Sequence, residues 1–265
     1  MLTPTNVNTL RLIHRIDLNI LNDMSEKVEI LGVKVDAVTM AQAVEFVEKL
    51  IAAKKNSIVA TANAEMLLRA TKDAELKNIL NAAELVVPDG AGTVWAAHHL
   101  GYEMPERVAG FDLVQELMKI APSKGYKFFL FGSAPDIADK AKVKAEELYP
   151  GIKIVGTRNG YFNVDDEPEI IAQIKNSQPD ILLAALGVPK QEKWLAAHKN
   201  ELNVPVSIGV GGTFDVMAGV VKRAPKWMQR AKLEWLFRVM LQPSRAGRLV
   251  ALPKFVMKVV RSKKK

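Results

Sequence analysis

The 265-residue chain contains no cysteine, which excludes disulfide bonds and thiolate metal sites and fits a cytoplasmic location. It also contains no run of the ~18–20 apolar residues that a membrane-spanning helix needs. Residues 1–23 lack the continuous apolar segment of a secretory signal. We interpret them as a loosely ordered N-terminal extension, with Met24 as an alternative start of the native chain.

Several catalytic signatures are missing as well. The four histidines, at positions 14, 98, 99 and 198, lack the spacing of zinc ligands. The chain has no Gly-x-Ser-x-Gly elbow, no P-loop and no GxGxxG fingerprint. It also has no Asp-x-Asp triplet, which many nucleotide-sugar enzymes use to hold a divalent ion on the diphosphate. In an enzyme of that kind, cationic side chains would have to neutralise the departing diphosphate, and neither a metal nor another cofactor is predicted.

Positive charge is concentrated at one end of the chain. The net charge is +8, and residues 222–265 hold 14 Lys or Arg and a single acid, Glu234. The tail therefore carries +13 and leaves −5 for the other 221 residues. Such asymmetry favours a polyanionic partner, which can be a nucleic acid, an anionic membrane or a phosphate-rich substrate.

The tail combines these charges with an apolar stripe at helical spacing over residues 249–260. A basic amphipathic helix of this kind is typical of proteins that dock on an anionic bilayer surface. The alternative is that the stripe packs on the body of the protein. Nucleic-acid binding is the weaker interpretation, because the body is acidic and the tail charges accompany aliphatic residues instead of interleaved aromatic ones.

From residue 28 onward, short apolar runs alternate with helical patterns. Runs such as 128–131 and 181–186 are apolar almost without a break, which is typical of strands buried on both faces. The alternation predicts an α/β fold with a doubly wound, mostly parallel sheet, helices on both faces and a C-terminal helical basic appendage. The predicted strands are 29–35, 57–62, 85–87, 127–131, 153–156, 180–186 and 206–210. The predicted helices are 39–53, 64–82, 91–100, 110–121, 135–149, 167–177, 189–200 and 213–220.

These elements divide the chain into a catalytic α/β domain at 24–221 and a membrane-docking appendage at 222–265. In open α/β sheets, ligands bind beyond the carboxyl ends of the strands. Thr61 and Asn63 follow the second predicted strand, where Asn63 is equally suited to cap the next helix. Asp89 follows the third strand, either as a turn residue or as an exposed carboxylate suited to general base catalysis.

The later strand ends are rich in glycine and polar residues. Gly132 and Ser133 form a turn before a helix, whose N–H groups favour phosphate, and Ser133 with Pro135 fits a cap followed by proline. Tyr161 lies in a loop that offers an aromatic ring for stacking on a base. Three more strand-end features complete the prediction: Lys190 and Gln191 facing the cleft, Gly211 and Gly212 allowing close backbone approach, and Asp215 beside them.

As an ordered set, these strand-end motifs resemble those of the WecG/TagA/CpsF family of glycosyltransferases. The resemblance extends from about residue 28 to about residue 248, and its wall teichoic acid members are the most similar. The motifs that carry it are TANAE at 61–65, VPDG at 87–90, RVAG at 107–110, LFGS at 130–133, NGYF at 159–162, GVPKQE at 187–192 and GVGGTFD at 209–215.

The resemblance implies a reaction as well as a fold. Members of the family transfer N-acetylmannosamine, or its uronic acid, from UDP to GlcNAc on undecaprenyl diphosphate, with inversion and without a metal. Asp89 matches the proposed base that takes the proton of the acceptor 4-hydroxyl. The resemblance implies substrate contacts for Thr61, Arg107 and Gln191, and diphosphate contacts for the tail arginines Arg238, Arg245 and Arg248.

The expected partners are therefore a UDP-sugar donor, an undecaprenyl-diphosphate-linked acceptor and the anionic inner face of the plasma membrane, with no nucleic acid. A uronic-acid or glucose donor and a non-catalytic UDP-binding regulator remain alternatives, and self-association stays open. We further expect Tyr161 to stack on uracil and Asp215 to contact the ribose or uracil. Removal of residues from 222 onward is expected to abolish turnover while the core still folds.

Overall fold

The structure is a computed structural model that describes residues 26–225, 227–228, 234–241 and 247–263. The predicted extension at 1–23 lies outside this range. The strands are β1 Lys27–Ile30, β2 Val33–Asp36, β3 Ser57–Ala62, β4 Leu85–Pro88, β5 Lys127–Gly132, β6 Lys153–Arg158, β7 Ile181–Ala185 and β8 Val206–Gly209. The helices are α1 Met40–Ala53, α2 Ala64–Ala70, α3 Ala74–Ala82, α4 Ala91–Leu100, α5 Gly110–Lys124, α6 Ile137–Leu148, α7 Glu167–Ser177, α8 Lys190–Leu202, α9 Thr213–Met217, α10 Glu234–Leu241 and α11 Gly247–Ser262. None of these described helices is long and apolar enough to cross a membrane.

Strands β3 to β8 form one parallel sheet in the order β4-β3-β8-β7-β5-β6. Every residue of β3, β7 and β8 is buried, as their apolar composition predicts for strands covered on both faces. The predicted strands from residue 57 onward agree with the structure to within two residues at each end. The doubly wound α/β fold is therefore confirmed.

The helices divide between the two faces of the sheet. Helices α2, α3, α4, α7, α8 and α11 pack in one apolar cluster, and α1, α5, α6 and α9 pack in the other. The helices that follow neighbouring strands β8 and β7 thus lie on opposite faces, as do those that follow β7 and β5. Chains that diverge in this way open a crevice at the carboxyl ends of the strands.

The single strand predicted at 29–35 is wrong. Strands β1 and β2 form an antiparallel hairpin outside the main sheet. Leu31 and Gly32 turn the chain with φ angles of 53° and 84°, and two left-handed residues are typical of a two-residue hairpin turn. The apolar side chain of Leu31 continued the strand pattern and hid the turn. Asn81 fixes the hairpin against α3 through hydrogen bonds of 2.9 Å to the Gly32 carbonyl and the Lys34 N–H.

The helix predicted at 64–82 is two helices, α2 and α3. The Thr71 hydroxyl donates to the Leu68 carbonyl at 2.7 Å, and Asp73 accepts from the Leu76 N–H at 3.0 Å to cap α3. Short polar side chains compete with the helix backbone for hydrogen bonds, so this polar segment ends one helix and starts the next.

Helix α11, at the end of the basic tail, shares the main core. Phe255 and Val259 are fully buried in the same apolar cluster as α2 and α4. A Cβ placed on Gly92 of α4 would lie 3.9 Å from Phe255, so the two helices are in direct contact. The inner face of α11 therefore packs on the body of the protein, which is the alternative interpretation of the apolar stripe. Val256 and Met257 are exposed on the outer face.

Candidate functional site at the carboxyl edge of the sheet

Asp89, the predicted catalytic base, follows β4 directly and is half-buried. Its N–H donates to the Ala62 carbonyl at 3.0 Å, and its carbonyl accepts from the Thr93 hydroxyl at 3.2 Å. Gly90 then turns the chain into α4 with a φ of 88°. The backbone of Asp89 is therefore held on both sides, which gives the carboxylate a rigid mount at the edge of the sheet.

Asn63 lies beside this turn. A Cβ on Gly90 would be 3.9 Å from the Asn63 Cβ, so the ends of β3 and β4 bring the two residues together. The Asn63 Oδ1 accepts from the Met66 N–H at 3.0 Å and caps α2. The helix cap, which the sequence left as an alternative, is confirmed, and a ligand contact of Asn63 stays a prediction.

Arg107 is placed near Asp89 because the residue after it donates its N–H to the carbonyl of Pro88 at 3.0 Å. The Arg107 guanidinium lies 3.4 Å from the Glu234 carboxylate and 3.9 Å from that of Asp112. Both distances exceed the ~2.7–2.9 Å of a strong charge-assisted hydrogen bond. A guanidinium carries five N–H donors, so Arg107 retains capacity for an anionic ligand.

A second arginine joins this group from the tail side. Arg223 makes a bidentate contact with Asp112 at 2.6 and 2.8 Å and lies 3.6 Å from Glu234. Burial alone would lower the pKa of Arg223, but the two carboxylates outweigh it and raise that pKa. With Arg107, these side chains form an ion network that fastens the start of α10 beside the Asp89 turn.

Thr61 braces β3 against β8. The side chain is buried, and its hydroxyl donates to the Gly209 carbonyl at 3.1 Å. A Cβ on Gly110 would stand 2.7 Å from the Thr61 methyl group, so α5 approaches this brace as closely as glycine allows. The structure gives Thr61 a supporting contact, and its predicted contact with substrate stays a prediction.

Gln191 connects the loops that follow β7 and β8. Its Oε1 accepts from the backbone N–H groups of Gly187 and Gly211, each at 3.1 Å. Its Nε2 donates to Glu192 at 2.7 Å. The residue is only 1% exposed, so the expectation that Gln191 faces an open cleft is wrong, while its predicted contact with substrate stays a prediction. The first turn of α8 directs it inward, where both ends of its amide are engaged.

Glu192 carries a carboxyl group enclosed by protein. The residue is 2% exposed, and Oε2 has no hydrogen-bond partner among the described residues. Burial raises the pKa of Glu192 to about 7, although the hydrogen bond from Gln191 and the charge of Arg69 act to lower it. A Cβ on Gly209 would stand 2.7 Å from Gln191 Nε2 and 3.0 Å from Glu192 Oε1, so a larger residue at this position in β8 would displace the two side chains.

The Gly132–Ser133 turn is built into the sheet edge. A Cβ on Gly132 would come within 2.5 Å of the Ala185 backbone, and the Ser133 N–H donates to the Ala185 carbonyl at 2.9 Å. This N–H, expected to face a phosphate, is therefore used by β7. The predicted cap at Ser133 with Pro135 in the first turn is wrong, because α6 begins two residues after Pro135 and Ser133 adopts a φ of 59°.

Tyr161 and Lys190 lie on the β6 side of the sheet. Lys190 follows β7, and the Gly160 N–H beside Tyr161 donates to the Ser133 carbonyl after β5 at 2.8 Å, so the two positions lie three to four strands from β4. Tyr161 is 71% exposed, and the Lys190 ammonium lies 4.1 Å from the centroid of the Phe162 ring in a cation–π contact. The sheet order separates both residues from the strand that carries Asp89, and their nucleotide contacts stay predictions.

The remaining predicted residues lie at β8 and in the tail. Gly211 and Gly212 form the turn into α9, and the Asp215 carbonyl accepts from the Val221 N–H at 3.0 Å. Among the described residues, no group of three or more His, Asp or Glu side chains converges to hold a metal ion. Of the tail arginines, Arg245 and the side chains of Arg238 and Arg248 lie outside the described part of the chain.

Sequence reasoning missed three charged residues of this region: Glu192, Arg223 and Glu234. Glu234 offered a signal, because a single acid among 14 basic residues indicates a specific partner. Arg223 does not stand out from the other basic residues of the tail. Glu192 is part of the GVPKQE motif, but a glutamate in the first turn of a helix is ordinarily solvated, so its burial could not be predicted.

Comparison with known proteins places the chain in a family. The profile of the glycosyl transferase WecG/TagA/CpsF family matches residues 28–265. The chain is 35% identical to the N-acetylglucosaminyldiphosphoundecaprenol N-acetyl-beta-D-mannosaminyltransferase of Staphylococcus aureus strain NCTC 8325 / PS 47 over 241 residues, 90% of this chain and 94% of the relative. The protein of the same description from Staphylococcus aureus strain MRSA252 shows the same identity and coverage. The chain therefore belongs to the glycosyl transferase WecG/TagA/CpsF family.

Proposed function

We propose that the protein transfers N-acetylmannosamine from UDP-N-acetylmannosamine to the 4-hydroxyl of GlcNAc on undecaprenyl diphosphate, a step in building the linkage unit of wall teichoic acid. Family membership and the name of the Staphylococcus aureus relatives support this acceptor and this sugar. The observation that carries the proposal is the Asp89 carboxylate, mounted at the carboxyl end of β4 with Arg107 close by.

Asp89 is the proposed base. The acceptor oxygen attacks the anomeric carbon from the face opposite UDP, so the bond to the diphosphate breaks as the new bond forms and the configuration inverts. Asp89 takes the proton of the attacking hydroxyl. A half-buried carboxylate on a fixed backbone suits this role, because a general base must hold its position relative to the proton it removes.

Arginine side chains are the proposed counterions of the departing UDP. Negative charge grows on the diphosphate as the bond breaks, and cations already aimed at it stabilise the transition state. Arg107 is one such cation, and Arg238, Arg245 and Arg248 of the tail are proposed as the others, since arginine binds phosphate through a bidentate fork. The contacts of Glu234 with Arg107 and Arg223 support a tail that reaches this corner.

A turnover assay with a GlcNAc-diphospho-lipid acceptor tests the proposal. We expect UDP-N-acetylmannosamine to be preferred over its uronic acid and over UDP-glucose by about tenfold or more, because mismatched polar groups cost ~1–3 kcal/mol when buried. We expect EDTA to leave the rate unchanged. Preference for another UDP-sugar would mean that the protein transfers a sugar other than N-acetylmannosamine. A rate that falls with EDTA and recovers with Mg²⁺ would contradict the metal-independent mechanism.

We also propose that the outer face of α11 docks on the anionic inner face of the plasma membrane. This face combines the exposed Val256 and Met257 with the exposed basic residues Lys254 and Arg261. Apolar side chains among basic ones suit the interface of an anionic bilayer, where each Lys or Arg contributes about 1 kcal/mol. Docking there would bring the site to its lipid-linked acceptor.

Co-sedimentation with phosphatidylglycerol vesicles checks this. The double substitution Lys254→Gln and Arg261→Gln is expected to weaken binding by about 30-fold, since two charges amount to about 2 kcal/mol. A matched pair on the exposed surface of α6, Lys140→Gln and Lys144→Gln, is expected to leave binding unchanged. If both pairs weaken vesicle binding equally, binding depends on net charge alone and α11 is not the docking face.

A further inference from the structure

We propose that Glu192 is a positioning residue of the donor site, whose buried carboxyl group fixes the Gln191 amide and so holds the loops after β7 and β8 at one separation. The proposal rests on the proposed function in one respect, namely that these two loops flank the bound nucleotide sugar. Its structural part concerns only hydrogen bonds within this chain and is tested separately below.

The argument begins with the two ends of the Gln191 amide. The oxygen end faces two donors, the N–H groups of Gly187 and Gly211, and the nitrogen end faces an acceptor, Oε1 of Glu192. Turning the amide by 180° would set its NH₂ group against two other N–H groups and its oxygen against a carboxyl oxygen. Glu192 thereby selects the orientation in which Gln191 can join the loops.

The hydrogen bonds of Gln191 connect two loops that lead to opposite faces of the sheet. Helix α8 leaves β7 toward one face of the sheet, and α9 leaves β8 toward the other. The two loops therefore diverge, and Gln191 spans the gap between them. Gly209 leaves the space that the Gln191–Glu192 pair occupies. A hydrogen bond lost in such an enclosed place leaves a buried polar group without a partner, which is costly.

The charges around Glu192 are few. Arg69 of α2 acts on it, and the Arg69 guanidinium is itself anchored at 3.2 Å to the Val188 carbonyl. Helices α3 and α7 also pack on α8, and three acids at their N-terminal ends contact other residues of α8: Asp73 and Glu75 contact Lys193, and Glu167 contacts His198. The enclosed carboxyl group therefore binds a proton more tightly in the folded protein than in the unfolded chain.

Amide hydrogen exchange at Gly187 and Gly211 is the first test. In Glu192→Leu the acceptor is gone, and we expect exchange at both glycines to accelerate by about tenfold or more. Gln191→Glu sets two carboxyl groups together and is expected to do the same at a pH where both groups are ionised and repel each other. The double variant Q191E/E192Q exchanges the two roles, with the carboxylate at 191 accepting from both loops and the amide at 192 donating to it, and is expected to restore protection.

UDP affinity by calorimetry is the second readout. We expect Glu192→Leu and Gln191→Glu to weaken UDP binding by about tenfold, and Glu192→Gln and Q191E/E192Q to retain it. Glu201→Gln, at an exposed acid of the same helix, is the matched control and should change nothing. Glu192→Gln adds a signature. Since the folded pKa of Glu192 is raised, the contribution of this residue to the free energy of unfolding is expected to fall as pH rises from about 5 to about 8, and the variant is expected to lack this contribution.

The outcomes separate the two proposals. If the wild type does not bind UDP while exchange follows the expected pattern, the proposed function fails and the positioning role stands. If exchange at Gly187 and Gly211 is the same in Glu192→Leu as in the wild type, or if Q191E/E192Q is no better than Gln191→Glu alone, the positioning role is overturned.

Discussion

Asp89→Asn is expected to lower kcat by about 10²–10⁴-fold, the range that general base catalysis contributes. Asparagine keeps the size of the side chain but does not accept the proton of the acceptor hydroxyl at neutral pH. The backbone bonds of Asp89 to Ala62 and Thr93 involve main-chain atoms of residue 89 and remain possible after the substitution. We therefore expect a folded variant with unchanged UDP affinity beside the loss of turnover.

The measurement is single-turnover transfer to a GlcNAc-diphospho-lipid, with UDP binding followed by calorimetry on the same preparation. Asp165→Asn, at an exposed aspartate of the turn before α7, is the control and should retain wild-type turnover. Transfer at the wild-type rate by Asp89→Asn or Asp89→Ala would remove Asp89 as the base. If Asp89→Asn loses UDP affinity together with turnover, the role of Asp89 is in binding the donor instead.

Phe255→Ala is expected to destabilise the whole domain by about 3–5 kcal/mol, the usual cost of truncating a buried phenylalanine. Phe255 is fully buried and packs against α4 beside Gly92, in the core cluster that also contains α2. Domains of this kind have a total stability of about 5–15 kcal/mol, so the loss is a large part of it. Denaturant unfolding followed by circular dichroism measures the change.

Val256→Ala provides the comparison, because its side chain is a neighbour on α11 that is 40% exposed. We expect this variant to stay within about 0.5 kcal/mol of the wild type. Similar losses for Val256 and Phe255 would mean that the helix does not present the inner face described above.

The burial of Phe255 also changes what a tail deletion is expected to show. The sequence alone predicts that removal of residues from 222 onward leaves a folded but inactive core. Because α11 packs on α2 and α4, the deletion also exposes apolar side chains of these two helices. A deletion variant is therefore expected to be less stable as well as inactive, and substitutions at single tail residues separate the two effects more cleanly.

The sequence by itself determined the class of fold and the position of the carboxylate that we propose as the base, Asp89. Apolar runs such as 181–186 mark strands covered on both faces, and a carboxylate directly after such a strand must lie at the binding edge of the sheet. These are local properties, since the burial of a strand and the placement of the next residue depend on a few neighbours in the chain. The hairpin at 27–36 was missed for the same reason, because one apolar residue in a two-residue turn imitates a continuing strand.

Only the tertiary structure decided which strand ends are neighbours. The order β4-β3-β8-β7-β5-β6 brings Thr61 to Gly209 and separates the β6 side, with Tyr161, from Asp89. Crossover helices can connect many strand orders, and the choice depends on packing between residues far apart in the chain. The same long-range packing buries Glu192 and pairs Glu234 with Arg107 across 127 positions of sequence, contacts that no local pattern encodes.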